Sequence, residues 1–180
     1  MKIEITEKGS EAFYRETVNV SAQYRYLLKN HSYRLRDYFR QFTLLLVLGA
    51  AFLVLLLVLA LSRGLESWDY AVIGLLGTAV VLCAAYLYLL HKMLRAMLAD
   101  SRTSVLTLDD TGVELNKGGS QIVKLGWENV AMVRVFRESL VFVSGDRTGI
   151  VISAAKRYAD QILSWLRANQ PGLELVEETK

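Results

Sequence analysis

Two stretches of this chain carry no charged residue, positions 41–62 and positions 70–90. Phe42 to Leu61 reads FTLLLVLGAAFLVLLLVLAL, and Tyr70 to Leu90 reads YAVIGLLGTAVVLCAAYLYLL. As a helix, about 20 apolar residues cross the roughly 30 Å hydrocarbon core of a bilayer. A helix is also the only open chain that satisfies its own backbone there. Apolar runs of about 10–14 residues would suit buried helices of a soluble protein. The pair therefore predicts a two-helix transmembrane hairpin, with spans 42–61 and 70–90. The first run begins past residue 40, too late for a signal peptide, and neither end carries a lipidation motif.

Charge sets the expected orientation. The link 63–69 nets −1, whereas Arg34, Arg36 and Arg40 precede the first span and Lys92 and Arg95 follow the second. By the positive-inside rule both termini are cytoplasmic. Trp68 and Tyr70 suit an outer aromatic belt, Tyr38 and Phe39 an inner one. Neither span holds an ionisable Asp, Glu, Lys, Arg or His, so transport by this chain alone is not expected. Gly74, Gly77 and Thr78 form a small-residue patch, expected to pack within the hairpin, with a second copy as the alternative.

Positions 24–42 show helical periodicity. Tyr24, Leu28, His31, Leu35, Phe39 and Phe42 fall on one face, and Arg25, Lys29, Arg36 and Arg40 on another. This reads as an amphipathic helix on the inner leaflet, or one continuing into the first span. Its cations, with Lys92 and Arg95, are candidate contacts to an anionic lipid surface. Residues 1–40 net +3 and residues 100–180 net −1, so no domain carries the basic face that nucleic acid requires.

From Ser104 short β runs alternate with turns. Val105–Leu108, Val113–Leu115, Ile122–Leu125, Val130–Phe136, Leu140–Val143 and Ile150–Ile152 read as strands, with a hairpin loop at Gly145–Gly149. Tyr158, Ile162, Trp165 and Leu166 share a helical face, ended by Asn169-Gln170-Pro171-Gly172. The acidic tail 173–180 reads as mobile. Lys2–Thr6 alternates and is expected to add a strand to this sheet. The resulting division is strand and linker 1–22, amphipathic helix and hairpin 23–99, β domain 104–169 and tail 170–180.

Asp110-Thr111-Gly112-Val113, Gly126-Trp127-Glu128-Asn129-Val130 and Lys156-Arg157 before a helix follow two spans here. Over residues 1–169 this arrangement resembles the YcxB-like family of bacterial membrane proteins. The resemblance implies a PH-like C-terminal domain, a seven-strand sheet capped by one helix, at the bacterial cytoplasmic membrane. It implies no established activity. The chain departs in lacking a Pro before Lys156-Arg157. The expected fold is thus an α+β membrane protein, a transmembrane hairpin followed by a small PH-like antiparallel β-sheet domain capped by a helix.

Catalytic chemistry finds little to work with. A Ser or Cys nucleophile needs an activating base, usually His. The two histidines, His31 and His91, lie at the membrane edge, and the single cysteine, Cys83, lies inside a span. No catalytic residue, metal site or cofactor is expected: Asp109-Asp110 reads as a turn, as does Gly118-Gly119-Ser120. Lys117, Lys124, Arg134 and Arg137 are candidates for a local cationic patch of the kind a lipid headgroup needs. Trp127 and Glu128 are the candidate partner surface, with Trp127 as core packing the competing role. The expected function is a non-catalytic interaction or regulatory protein, with a protein partner, the bilayer and self-association as contacts. A sensor of anionic lipid or an accessory subunit is the alternative.

Overall fold

The computed structural model describes residues 3–7, 9–29, 34–64, 66–99, 104–117, 122–146 and 148–177. His31, the 118–120 turn and the last three residues of the expected tail lie outside them. The chain divides into two units, residues 36–95 and the remainder.

In the first unit, helix α2 (Tyr38–Arg63) and helix α3 (Ser67–Ala99) carry the two apolar runs. Asp37 caps α2, its side chain accepting from the Arg40 amide at 3.3 Å. Gly64, at φ +85°, ends it in a conformation that a side chain would strain. Across the turn Arg63 pairs with Asp69, whose carboxylate also accepts from the Glu66 amide at 3.0 Å. The helices meet through Phe42 and Tyr86, with ring centroids 4.6 Å apart, and through Phe39 and His91 at 5.1 Å. Gly49 admits Val80, which would stand 3.1 Å from an added Cβ. The expected glycine contact is elsewhere: Gly74 and Gly77 face open space. Among the glycines of this hairpin, Gly49 is the one set close to a facing side chain.

The second unit holds two four-stranded sheets. Strands β1 (Ile3–Glu7), β2 (Ser104–Asp109), β3 (Gly112–Asn116) and β4 (Ile122–Gly126) form one, antiparallel and in that order. β1 pairs along its length with β2, Ile5 facing Leu106. The other sheet runs β7 (Val151–Ala155), β6 (Ser139–Ser144), β5 (Val130–Val135), β8 (Leu175–Glu177). β8 is parallel to β5, and the Val133 amide donates to the Glu174 carbonyl at 2.9 Å. The tail is therefore not wholly mobile. Leu173 and Leu175 pack against the core, which gives this acidic segment apolar anchors.

Between the sheets Leu106, Leu108, Val133, Leu140, Phe142 and Ile152 are buried. Helix α4 (Ala159–Asn169) adds Ile162, Trp165 and Leu166. Each such side chain contributes about 1.5–3 kcal/mol of burial.

Sequence periodicity predicts one helix across 24–42, and the structure breaks it. Helix α1 spans Glu11–Lys29, and residues 34–37 have no regular structure before α2 starts. Phe13, Val20 and Leu27, seven apart, are all buried. Val20 and Leu27 pack on Met132, Phe136, Val141 and Val143, the face of the second sheet turned away from the main core. A heptad-spaced stripe with a sheet to cover outweighs the weaker aromatic stripe that crosses positions 34–37. The segment expected as a linker is thus a packed layer.

Candidate functional site

Trp127 opens a 3-10 turn, Trp127–Asn129, between β4 and β5. Its Nε1–H donates to the Asp109 carbonyl at 2.8 Å. Its ring lies 5.8 Å from that of Trp165 and 6.4 Å from that of Phe142. The indole is half-buried, ties the β2–β3 turn to the β4–β5 corner, and has its donor engaged. Glu128 beside it is exposed, accepting from its neighbour Asn129 Nδ2 at 3.1 Å. The corner therefore presents Glu128 to solvent more than Trp127.

Asp109 accepts from the Thr111 amide at 2.7 Å, the Thr111 hydroxyl at 2.6 Å and the Gly112 amide at 3.1 Å. The Thr111 bonds are the main cause holding its carboxyl below the ordinary aspartate range. This is turn geometry. No group of three or more His, Cys, Asp or Glu able to hold a metal occurs among the described residues. His91 is exposed on α3, its Nδ1 2.9 Å from the Leu87 carbonyl, and Cys83 is half-buried on the same helix.

The six cations proposed for a lipid surface are all exposed, though on different elements. Arg25 and Lys29 belong to α1, Arg40 to α2, Lys92 and Arg95 to α3, and Arg36 precedes α2. The patch expected from Lys117, Lys124, Arg134 and Arg137 does not assemble. Arg134 is 1% exposed, with its guanidinium 5.4 Å from the Phe136 ring centroid. Alternation along β5 places it with Met132 and Phe136, on the face that α1 covers. Arg137 projects into solvent beside Glu138, Lys124 is exposed, and Lys117 lines a cleft under α1.

Glu16 escaped the sequence reading. From α1 its carboxylate accepts from the Ser139 hydroxyl at 2.6 Å and from the Glu138 amide at 3.0 Å. Burial raises its pKa above the ordinary glutamate value, opposed by those hydrogen bonds. The available signal was the uninterrupted apolar run in β6, which needs cover on both faces. Compared with known families, curated proteins and solved structures, the chain matches none.

Proposed function

We propose that this chain is a membrane-anchored, non-catalytic interaction or regulatory protein, presenting a PH-like domain at the inner face of a bacterial cytoplasmic membrane. The observation that carries this is a bare apolar hairpin whose two flanks belong to one sheet. Leu61 is 68% exposed and Leu75 76%, and Leu44, Leu48, Val54, Val58, Val81 and Leu82 are likewise exposed, whereas Phe39, Leu90 and Leu94 near the inner end are buried. In water so large an apolar surface would drive association, whereas lipid tails cover it. β1 precedes the hairpin and β2 follows it, yet they pair strand to strand. If the hairpin spans a bilayer, both flanks therefore lie on one side, and the cations at 34, 36, 40, 92 and 95 make that side cytoplasmic.

Two antiparallel-rich sheets sharing a core with α4 favour the PH-like reading, although β8, parallel to β5, makes eight strands where the resemblance implies a seven-strand antiparallel sheet. Anchoring such a module concentrates it near membrane-bound partners. The outer edges β4 and β7, and the groove beside α4, offer backbone and apolar contacts to a peptide. Exposure of Arg25, Lys29, Arg36, Arg40, Lys92 and Arg95 favours a second reading, a sensor of anionic lipid.

The test is expression of the full chain in bacteria with reporter fusions at the 63–69 link and at each terminus. Carbonate-resistant membrane association, an external link and internal termini are expected. A carbonate-soluble protein would overturn the membrane reading. Cross-linking with mass spectrometry then separates the two functions. A stoichiometric protein lost on replacing surface residues of β4 or α4 supports the adaptor. Recovery of only anionic phospholipid supports the sensor.

A further inference from the structure

Strand β8 has three residues and pairs, in parallel, with Val133–Val135, the last three of the six residues of β5. Val130–Met132, the first three, lie outside that ladder. A longer parallel strand would run beside them, but this chain turns away. Residues 170–174 join β8 to α4 through Pro171-Gly172, and the Leu173 amide donates to the Gln170 carbonyl at 3.1 Å. Two apolar side chains hold β8. Leu173 and Leu175 alternate, are half-buried and pack against the inter-sheet core, Leu175 opposite Val133. Parallel pairing is slightly the weaker kind per residue, and so short a strand supplies few bonds. Its occupancy therefore rests on the tether, since a short linker holds a segment near its site at about millimolar concentration.

We propose that the β5 edge is a strand-accepting docking site held closed by the chain's own C-terminal segment. Its partner is an extended protein segment, long enough to match the six residues of β5, with apolar side chains at alternate positions. That segment displaces β8, runs parallel to β5 and seats two apolar side chains where Leu173 and Leu175 sit. It then outcompetes the tether by pairing with Val130–Met132 as well. Backbone bonds at a sheet edge supply affinity, and the alternating side-chain positions supply selectivity. The chemistry of the partner is read from β8, the occupant already on this edge. The site's role rests on the interaction reading above, whereas its opening and its pairing do not, so the two can fail separately.

Amide exchange on the full chain in phosphatidylcholine nanodiscs reads the opening. The Val133 amide, bonded to the Glu174 carbonyl at 2.9 Å, reports whether β8 is in place. It should exchange about tenfold faster than the best-protected β6 amides, because β8 leaves without the sheet unfolding. Exchange of Val133 only together with β6 would overturn the strap. The chain lacking residues 173–180 is then titrated with a labelled peptide of residues 171–180. Saturable binding is expected, about tenfold tighter than to the full chain, which holds its own copy of the segment. Leu173→Ser with Leu175→Ser in the peptide should weaken it about tenfold. Pro171→Val with Gly172→Val frees the peptide to pair further and should tighten it about tenfold. No binding, equal binding to the two chains, or indifference to the serines would overturn the docking site. No gain from the valines would overturn the six-residue partner. Should the shortened chain not fold, the full chain carrying Leu175→Ser takes its place. Failure of both to fold would overturn the proposal, because β8 would then be a strand the core cannot lose.

Discussion

Ser139 donates its hydroxyl proton to Glu16 across 2.6 Å, although 123 positions separate them. The same carboxylate accepts the Glu138 amide, so one side chain of α1 satisfies the start of β6. The contact fixes α1 along the second sheet, with Val20 and Leu27 packed on Val141 and Val143. Helix and sheet thus form one layered unit.

Glu16→Ala should destabilise this unit by about 1–3 kcal/mol, since it strands a hydroxyl and an amide. Glu16→Gln should be milder, because the amide oxygen can accept the same bonds. The two proteins should then part with pH. The native Glu16 carboxyl titrates above its ordinary value, so folding takes up a proton there. That contribution is complete below about pH 4.3, the ordinary glutamate value, and fades as pH rises through the folded value. Urea unfolding at pH 5 and pH 7 should show the native protein gaining stability relative to Glu16→Gln at the lower pH. An equal difference at both would mean that burial does not perturb this carboxyl.

Arg134 is a cation enclosed between sheet and helix, stacked on Phe136. Arg134→Ala removes its packing as well as its charge and should cost about 3 kcal/mol. Arg134→Met keeps much of the volume without the burden of a buried charge and should cost less. Unfolding midpoints in urea for both variants decide it. A cost for Met as large as that for Ala would show that the charge, not the volume, supports α1.

Trp127→Phe removes the donor to the Asp109 carbonyl while keeping an aromatic ring beside Trp165. A loss of about 1 kcal/mol is expected, measured by thermal unfolding. Trp127→Ala also empties the contact with Phe142 and Trp165 and should cost about 3–5 kcal/mol. Glu128→Ala should leave stability within about 0.5 kcal/mol, as an exposed substitution. Retained partner capture in Glu128→Ala would remove this corner from the docking surface.

Strands and helices with strong local periodicity were legible. The two charge-free runs, the alternation of Val105–Leu108 and the Ile162–Trp165–Leu166 face each lie within one element. What escaped depended on a partner far away in sequence. Leu140-Val141-Phe142-Val143 lacks alternation because Leu140 and Phe142 face the inter-sheet core while Val141 and Val143 face α1. Arg134 looked like a surface cation because its covering helix was not foreseen. Leu173 and Leu175 were hidden in an acidic tail, where composition outweighed two anchors spaced for a strand. At the site, the Gly126-Trp127-Glu128 neighbourhood marks Trp127, whereas packing ties Glu16 to Glu138 and Ser139, 122 and 123 positions away.

The strand-forming reading of Lys2–Thr6 has the most direct consequence. β1 pairs antiparallel with β2 from Ile3 opposite Leu108 to Glu7 opposite Ser104, and Ile5 is 3% exposed beside Leu106. Closing that pair costs the entropy of a loop containing α1 and the whole hairpin, a cost that grows only slowly with length. A bilayer-anchored hairpin would reduce it further by holding the two flanks near one another. Ile5→Ala should therefore cost about 2–5 kcal/mol, and deleting residues 1–8 should cost more, because β2 also becomes an unpaired edge. Amide exchange in the full chain reads this directly. Those β2 amides that are bonded to β1 should lose protection on deletion, while those of β6, in the other sheet, should keep more of theirs. If residues 1–8 can be removed with no change in β2 exchange, the β1–β2 pair does not hold the two flanks together, and the argument for a same-side hairpin loses its support.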